Sequence, residues 1–135
     1  ALLNWALGLI SFGSTILSIE LILGYLFMPL AFLMGAPWSE AHILGSLMGQ
    51  KLVLTEFIAY GNLASLGDSV STKTATIAAY ALCGFANFAS IGIQLGGIGS
   101  IAPERKKDLA KLVMKAMIGG ALASWLTATI AGILL

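Results

Sequence analysis

Four polar side chains in this sequence stand where apolar ones would be expected. Glu56 follows the apolar run Leu52-Val53-Leu54, after Thr55, and precedes Phe57-Ile58. Asn87, Ser90 and Gln94 lie within ALCGFANFASIGIQLGG, residues 81–97. An unpaired carboxylate in apolar surroundings takes up a proton, finds a partner or serves a ligand. Glu56 therefore has three candidate roles: holding a polar substrate, carrying a coupling proton, or pairing with Lys51. Pairing along one helix is poor, because favourable partners stand three or four apart and these stand five apart. A turn between them would change that geometry. Asn87 and Ser90 offer donors and acceptors without charge, and a carboxylate can accept charge-assisted bonds from two hydroxyls. Phe85 is a candidate apolar or aromatic wall. This set suits a neutral, polyhydroxylated ligand with a flat apolar part. The plainer alternative makes Asn87 and Ser90 interhelical glue in a helix packed by glycines.

The composition says what surrounds these groups. The 135 residues are 59% hydrophobic and only 10% charged, against about 25% charged in soluble domains. An all-α integral membrane chain is expected. Net charge is +1, which provides no basic field for nucleic acid. The single cysteine, Cys83, can form no internal disulfide and reads as a small core residue. His42 is the only histidine, so a metal site lacks ligands. There is no phosphate loop after a strand, no nucleophile elbow and no His–carboxylate pair, so no enzyme chemistry is expected.

The elements that must position the site follow from breaks in the apolar pattern. The chain opens at Ala1 inside an apolar run, so a C-terminal piece of a longer polytopic protein is expected. Residues 1–13 read as the end of a spanning helix, with Trp5 at an interface. Residues 14–37 form a connecting stretch weakened by Gly24 and Pro29. Residues 38–67 open with Ser39 as N-cap and Glu40 in the first turn. They hold two apolar pieces of roughly a dozen residues, about 18 Å each, too short for a core about 30 Å thick. A re-entrant helical hairpin with Glu56 near its tip is expected. One kinked helix with a snorkelling Lys51 is the alternative. Residues 73–99 form a discontinuous transmembrane helix, broken near the glycines of 84–97. Hydrocarbon cannot satisfy an open backbone, so such a break needs other partners. Residues 104–135 form the last transmembrane helix, with a stripe of small residues at Ala116, Gly120, Ser124, Ala128 and Gly132. Arg105, Lys106, Lys107, Lys111 and Lys115 place its first end in the cytoplasm. Parity then lets the chain reach an outer-side hairpin only if 14–37 lies along the interface without crossing.

At these residues the chain closely resembles the concentrative nucleoside transporter family. The motifs are GQKLVLTEFIAY at 49–60, ALCGFANFASIGIQLGG at 81–97 and IAPERKKDL at 101–109, with GYLFMPLAFLMGAPWSEA at 24–41 also similar. The resemblance implies a homotrimer in the cell membrane, a bacterial inner membrane, importing uridine-like nucleosides by sodium or proton symport. It implies that 38–135 belong to a mobile transport domain built as an inverted repeat. Glu56, Asn87 and Ser90 would bind the ribose and Phe85 would line the pocket, with Thr55 and Gln94 in support. The base-reading groups and the coupling ion would belong to the first half, so no metal and no other cofactor is expected here. The family usually has Asn before the hairpin glutamate, where this chain has Thr55. Two other readings are a channel or other secondary transporter with a re-entrant loop, and a membrane scaffold without transport.

Overall fold

The computed structural model describes residues 11–12, 15–16 and 18–135. Most of the expected helix at 1–13, Trp5 included, lies outside the described residues. Its far end is extended: β1 (Ser11–Phe12) pairs antiparallel with β2 (Thr15–Ile16), Ser11 opposite Ile16. Six helices follow. α1 (Ile19–Leu33) is capped by Ser18, whose hydroxyl accepts from the Leu21 N–H at 3.1 Å. Gly24 and Pro29 do not interrupt it. Its 15 residues measure about 22 Å, short of a hydrocarbon core.

Gly24 instead serves a close contact between α1 and α2 (Trp38–Val53). A Cβ on Gly45 of α2 would lie 2.5 Å from the Gly24 carbonyl oxygen and 2.9 Å from the Met28 nitrogen. A Cβ on Gly49 would collide with Leu23. The turn between α1 and α2 uses Gly35 at φ 104°, a conformation that suits only glycine. The cap of α2 is Pro37, not Ser39: the Pro37 carbonyl already accepts from the Glu40 and Ala41 N–H groups, so Ser39 is inside the first turn.

α2 stops at Leu54, and α3 (Glu56–Leu66) runs back along it. Asn62 Nδ2 donates to Gln50 Oε1 at 2.6 Å, pinning the two arms. The arms are unequal, 16 and 11 residues. A short 3-10 turn (Gly67–Ser69) leads to α4 (Thr72–Leu82), capped by Ser71. The chain then opens over 83–87 before α5 (Phe88–Ile101). After a second 3-10 turn (Pro103–Arg105), α6 (Lys106–Leu134) runs 29 residues, about 43 Å. With that turn it is the one stretch among the described residues long and apolar enough to cross a membrane.

The core gathers Ala31, Met34, Leu44, Met48, Ile77, Leu82 and Ala128 from α1, α2, α4 and α6. The packed ridge of α6 is Val113, Met117, Ala121, Ser124, Ala128 and Gly132. This corrects the expected stripe in its first half, since Ala116 and Gly120 are exposed. A helix has 3.6 residues per turn, so a spacing of four drifts off a buried face over several turns.

Candidate functional site

The two interruptions meet. Thr55 has extended backbone and caps α3, its hydroxyl accepting from the Ile58 N–H at 3.5 Å. That puts Glu56 in the first helical position. Asn87 caps α5 in a reciprocal box: its Oδ1 accepts from the Ser90 N–H at 2.7 Å, and Ser90 Oγ accepts from the Asn87 N–H at 3.3 Å. The Ser90 hydroxyl also donates to the Asn87 carbonyl at 2.6 Å. With Oδ1 occupied, the Asn87 amide nitrogen is free to turn outward. Nδ2 donates to Glu56 Oε2 at 2.7 Å, across 31 residues of chain. Both N-terminal ends thus converge on one carboxylate, where the helix dipoles favour negative charge.

The freed backbone is accounted for group by group. Tyr60 hydroxyl donates to the Ala79 carbonyl at 2.6 Å, and Lys51 Nζ donates to Ala81 at 3.1 Å. Cys83 N–H returns to Tyr80, and Gly84 N–H to Leu82, closing a three-residue turn about Cys83. The Cys83 carbonyl accepts from Ser124 Oγ of α6 at 3.3 Å. A Cβ on Gly84 would collide with Ser124 Oγ, so a larger residue there would have to displace the hydroxyl from the Cys83 carbonyl. These bonds satisfy groups that the open helix end would otherwise leave without partners.

The expected site residues are distributed unevenly. Glu56 and Asn87 are in direct contact, Glu56 half-buried and Asn87 fully buried. Ser90 is also fully buried, with its hydroxyl engaged in the cap of α5. Phe85 is 55% exposed beside them in the open segment. Thr55 is the cap described above. Gln94 sits two turns along α5 and lines a separate cavity of about 220 Å³ against α6, with Leu109, Leu112 and Val113. Cys83 is exposed, not a core residue, because the chain has left the helix there.

Two further polar groups belong to this region. Lys51 is fully buried with a main-chain carbonyl as its partner, so the alternative of a snorkelling lysine on one kinked helix does not hold. Ser124 was read only as a packing residue. The available signal was the break itself, since an open helix end in apolar surroundings must recruit donors from its neighbours.

A broken helix with polar side chains at the break is a feature that secondary transporters use in building substrate sites. The comparisons specify which kind. The family model described as "Na+ dependent nucleoside transporter C-terminus" matches residues 1–132. This chain belongs to that family, a family of transporters and not of enzymes. It is 54% identical to the uncharacterized transporter YutK of Bacillus subtilis over 131 residues, covering 97% of this chain and 32% of that protein. It is 46% identical to the putative nucleoside permease NupX of Escherichia coli, covering 90% and 30%. The structure of CNTnw in an inward-facing substrate-bound state matches with a TM-score of 0.88 at 43% identity, covering 97% of this chain and 34% of that one. The chain thus spans about a third of the length of these relatives.

Proposed function

We propose that this chain carries the ribose-binding half of the site of an ion-coupled nucleoside symporter that works by alternating access in a cell membrane. The observation that carries the reading is the Glu56–Asn87 hydrogen bond at the meeting of two helix N-terminal ends. A carboxylate that already accepts one N–H there can accept ribose hydroxyls in charge-assisted bonds. Asn87 offers an amide held in place by its own cap. Ser90 contributes by fixing that cap and by any hydroxyl contact made once the cap rearranges. Phe85 is exposed beside the pair and supplies an aromatic wall for the sugar and base. Thr55 sets the entry of α3, and Gln94 supports α5 about one turn beyond Ser90.

In this reading 38–67 is a re-entrant hairpin, 73–99 a discontinuous transmembrane helix and 104–135 the last span, all within the mobile transport domain. Residues 14–37 lie along the interface and 1–13 end a scaffold helix. Sodium as coupling ion is supported by the family's description and by relatives named sodium/nucleoside cotransporter 1 in mouse and rat. Protons are the other candidate, and either ion binds in the half of the protein outside this chain. In this reading the working unit is a homotrimer in a bacterial inner membrane, and the cargo is uridine-like.

The test is uridine uptake by the full-length protein in proteoliposomes, with and without a sodium gradient, for wild type and Glu56→Gln. Gradient-driven accumulation that collapses in the variant is the expected result. Accumulation driven by protons alone would change the ion and keep the function. Flux without accumulation under either gradient would overturn the symporter reading in favour of a channel.

A further inference from the structure

Lys51 is the charged group that the proposed site leaves unused. It is the largest fully buried side chain among the described residues. Its Nζ donates to the Ala81 carbonyl, in the last turn of α4. A Cβ on Gly84 would come within 3.5 Å of the same Nζ, so the ammonium sits at the mouth of the break. Among the described residues, no carboxylate lies within ion-pair distance of it. The ionisable groups near it are Glu56 and Cys83, with Tyr60 beside the same pair. A buried cation held by a main-chain carbonyl is expensive to keep in place.

The helix ends explain why it is placed here. α2 and α4 bring their C-terminal ends to Lys51, while α3 and α5 bring their N-terminal ends to Glu56. C-terminal ends carry partial negative charge and N-terminal ends partial positive charge. The cation and the carboxylate therefore each stand where two like helix ends converge. The hairpin is consequently tied to the broken helix through Lys51, through the Tyr60 hydroxyl on the Ala79 carbonyl, and through Glu56.

We propose that Lys51 is a positioning residue for substrate: its ammonium clamps the hairpin to the broken helix while the Glu56–Asn87 bond opens around the sugar. This rests on the nucleoside reading above. When ribose hydroxyls replace Asn87 on the Glu56 carboxylate, the tie between α3 and α5 is lost. The tie from α2 to α4 persists, because it involves neither group.

The experiment uses the full-length transporter in proteoliposomes, reading KM and Vmax for uridine. Lys51→Met removes the charge and the donor with little change in volume. KM is expected to rise at least tenfold with Vmax within threefold of wild type, while Lys51→Arg keeps KM within threefold. An unchanged KM in Lys51→Met overturns the proposal, and so does a loss confined to Vmax or an equal rise in the Arg variant. If Lys51→Met does not fold, Lys51→Gln against Lys51→Arg decides the same question through the thermal shift that uridine induces in detergent. Absence of uridine uptake by the wild type would instead sink the nucleoside reading itself.

Discussion

Two contact regions of this molecule solve opposite problems with similar composition. Between α1 and α2, unbroken helices approach through Gly24, Gly45 and Gly49, and the contact is steric. At the crossing of 51–56 with 81–90, the helices are interrupted, and the contact is made by directed polar bonds. A closed helix has satisfied its own backbone, so it needs only a fitting surface. An open one exposes donors and acceptors that must be met one by one. The second arrangement costs more to assemble, and it leaves polar side chains that a ligand can take over. The candidate site therefore lies where the backbone is interrupted.

The comparison is broken most severely by Asn87→Asp. Asp caps a helix as well as Asn does, so α5 should keep its start. Two carboxylates would then face each other across the present 2.7 Å bond. Like charges so placed cost several kcal/mol, and about 3 kcal/mol corresponds to a loss of uridine affinity on the order of 100-fold. Equilibrium binding of uridine to purified full-length protein measures it, and affinity within threefold of wild type would refute the site.

Gly45→Val tests the steric region. Its side chain would press on the Gly24 carbonyl and the Met28 nitrogen, which are backbone and cannot swing away. Overpacking of this kind costs about 1–3 kcal/mol. A lower unfolding midpoint is expected with uridine KM unchanged in the protein that remains folded. A change in KM without loss of stability would show that the two regions are not separate.

Thr55→Asn sharpens the polar side by a smaller amount. Asn ranks above Thr as an N-cap, and the Thr55 bond to Ile58 is long at 3.5 Å. A gain of about 0.5 kcal/mol in stability is expected, read as a small upward shift of the unfolding midpoint, with uridine affinity equal or better.

The smallest effect concerns Glu40, at the loop end of the hairpin. Hydrogen bonds from the Thr74 and Ser71 side chains and from the Ser71 N–H hold its carboxyl below the usual 4.5. A carboxyl lowered in the folded state adds stability above its unfolded value, and that contribution fades as pH falls through the folded one. The pH dependence of unfolding below about 4.5 should therefore be slightly shallower in Glu40→Gln, as thermal scans between pH 3 and 6 would show.

Much of the arrangement was legible in the residues. The break near Gly84, the turn between Lys51 and Glu56 and the long apolar helix over 106–134 follow from local signals: glycines, a polar interruption, an uncharged run. The motifs around Glu56 and Asn87 also carried the family resemblance. Ser39 was misplaced as a cap, because the Pro37 carbonyl opens the helix two residues earlier. Cys83 was misplaced as core, because a residue's face is undefined once its helix unwinds.

The sequence by itself determined that the chain is helical and apolar, where its helices fail, and which polar residues stand at the failures. Those properties are set by side chains within a few positions of one another. The tertiary structure alone decided the partners: Lys51 with Ala81, Ser124 with Cys83, Tyr60 with Ala79, and Asn87 with Glu56. Each of those bonds joins residues 19 to 41 positions apart. Three of the four end on main-chain carbonyls, which every residue carries, so no residue type could mark them in advance. Only the packing of one open helix end against its neighbours selects which carbonyl a buried donor reaches.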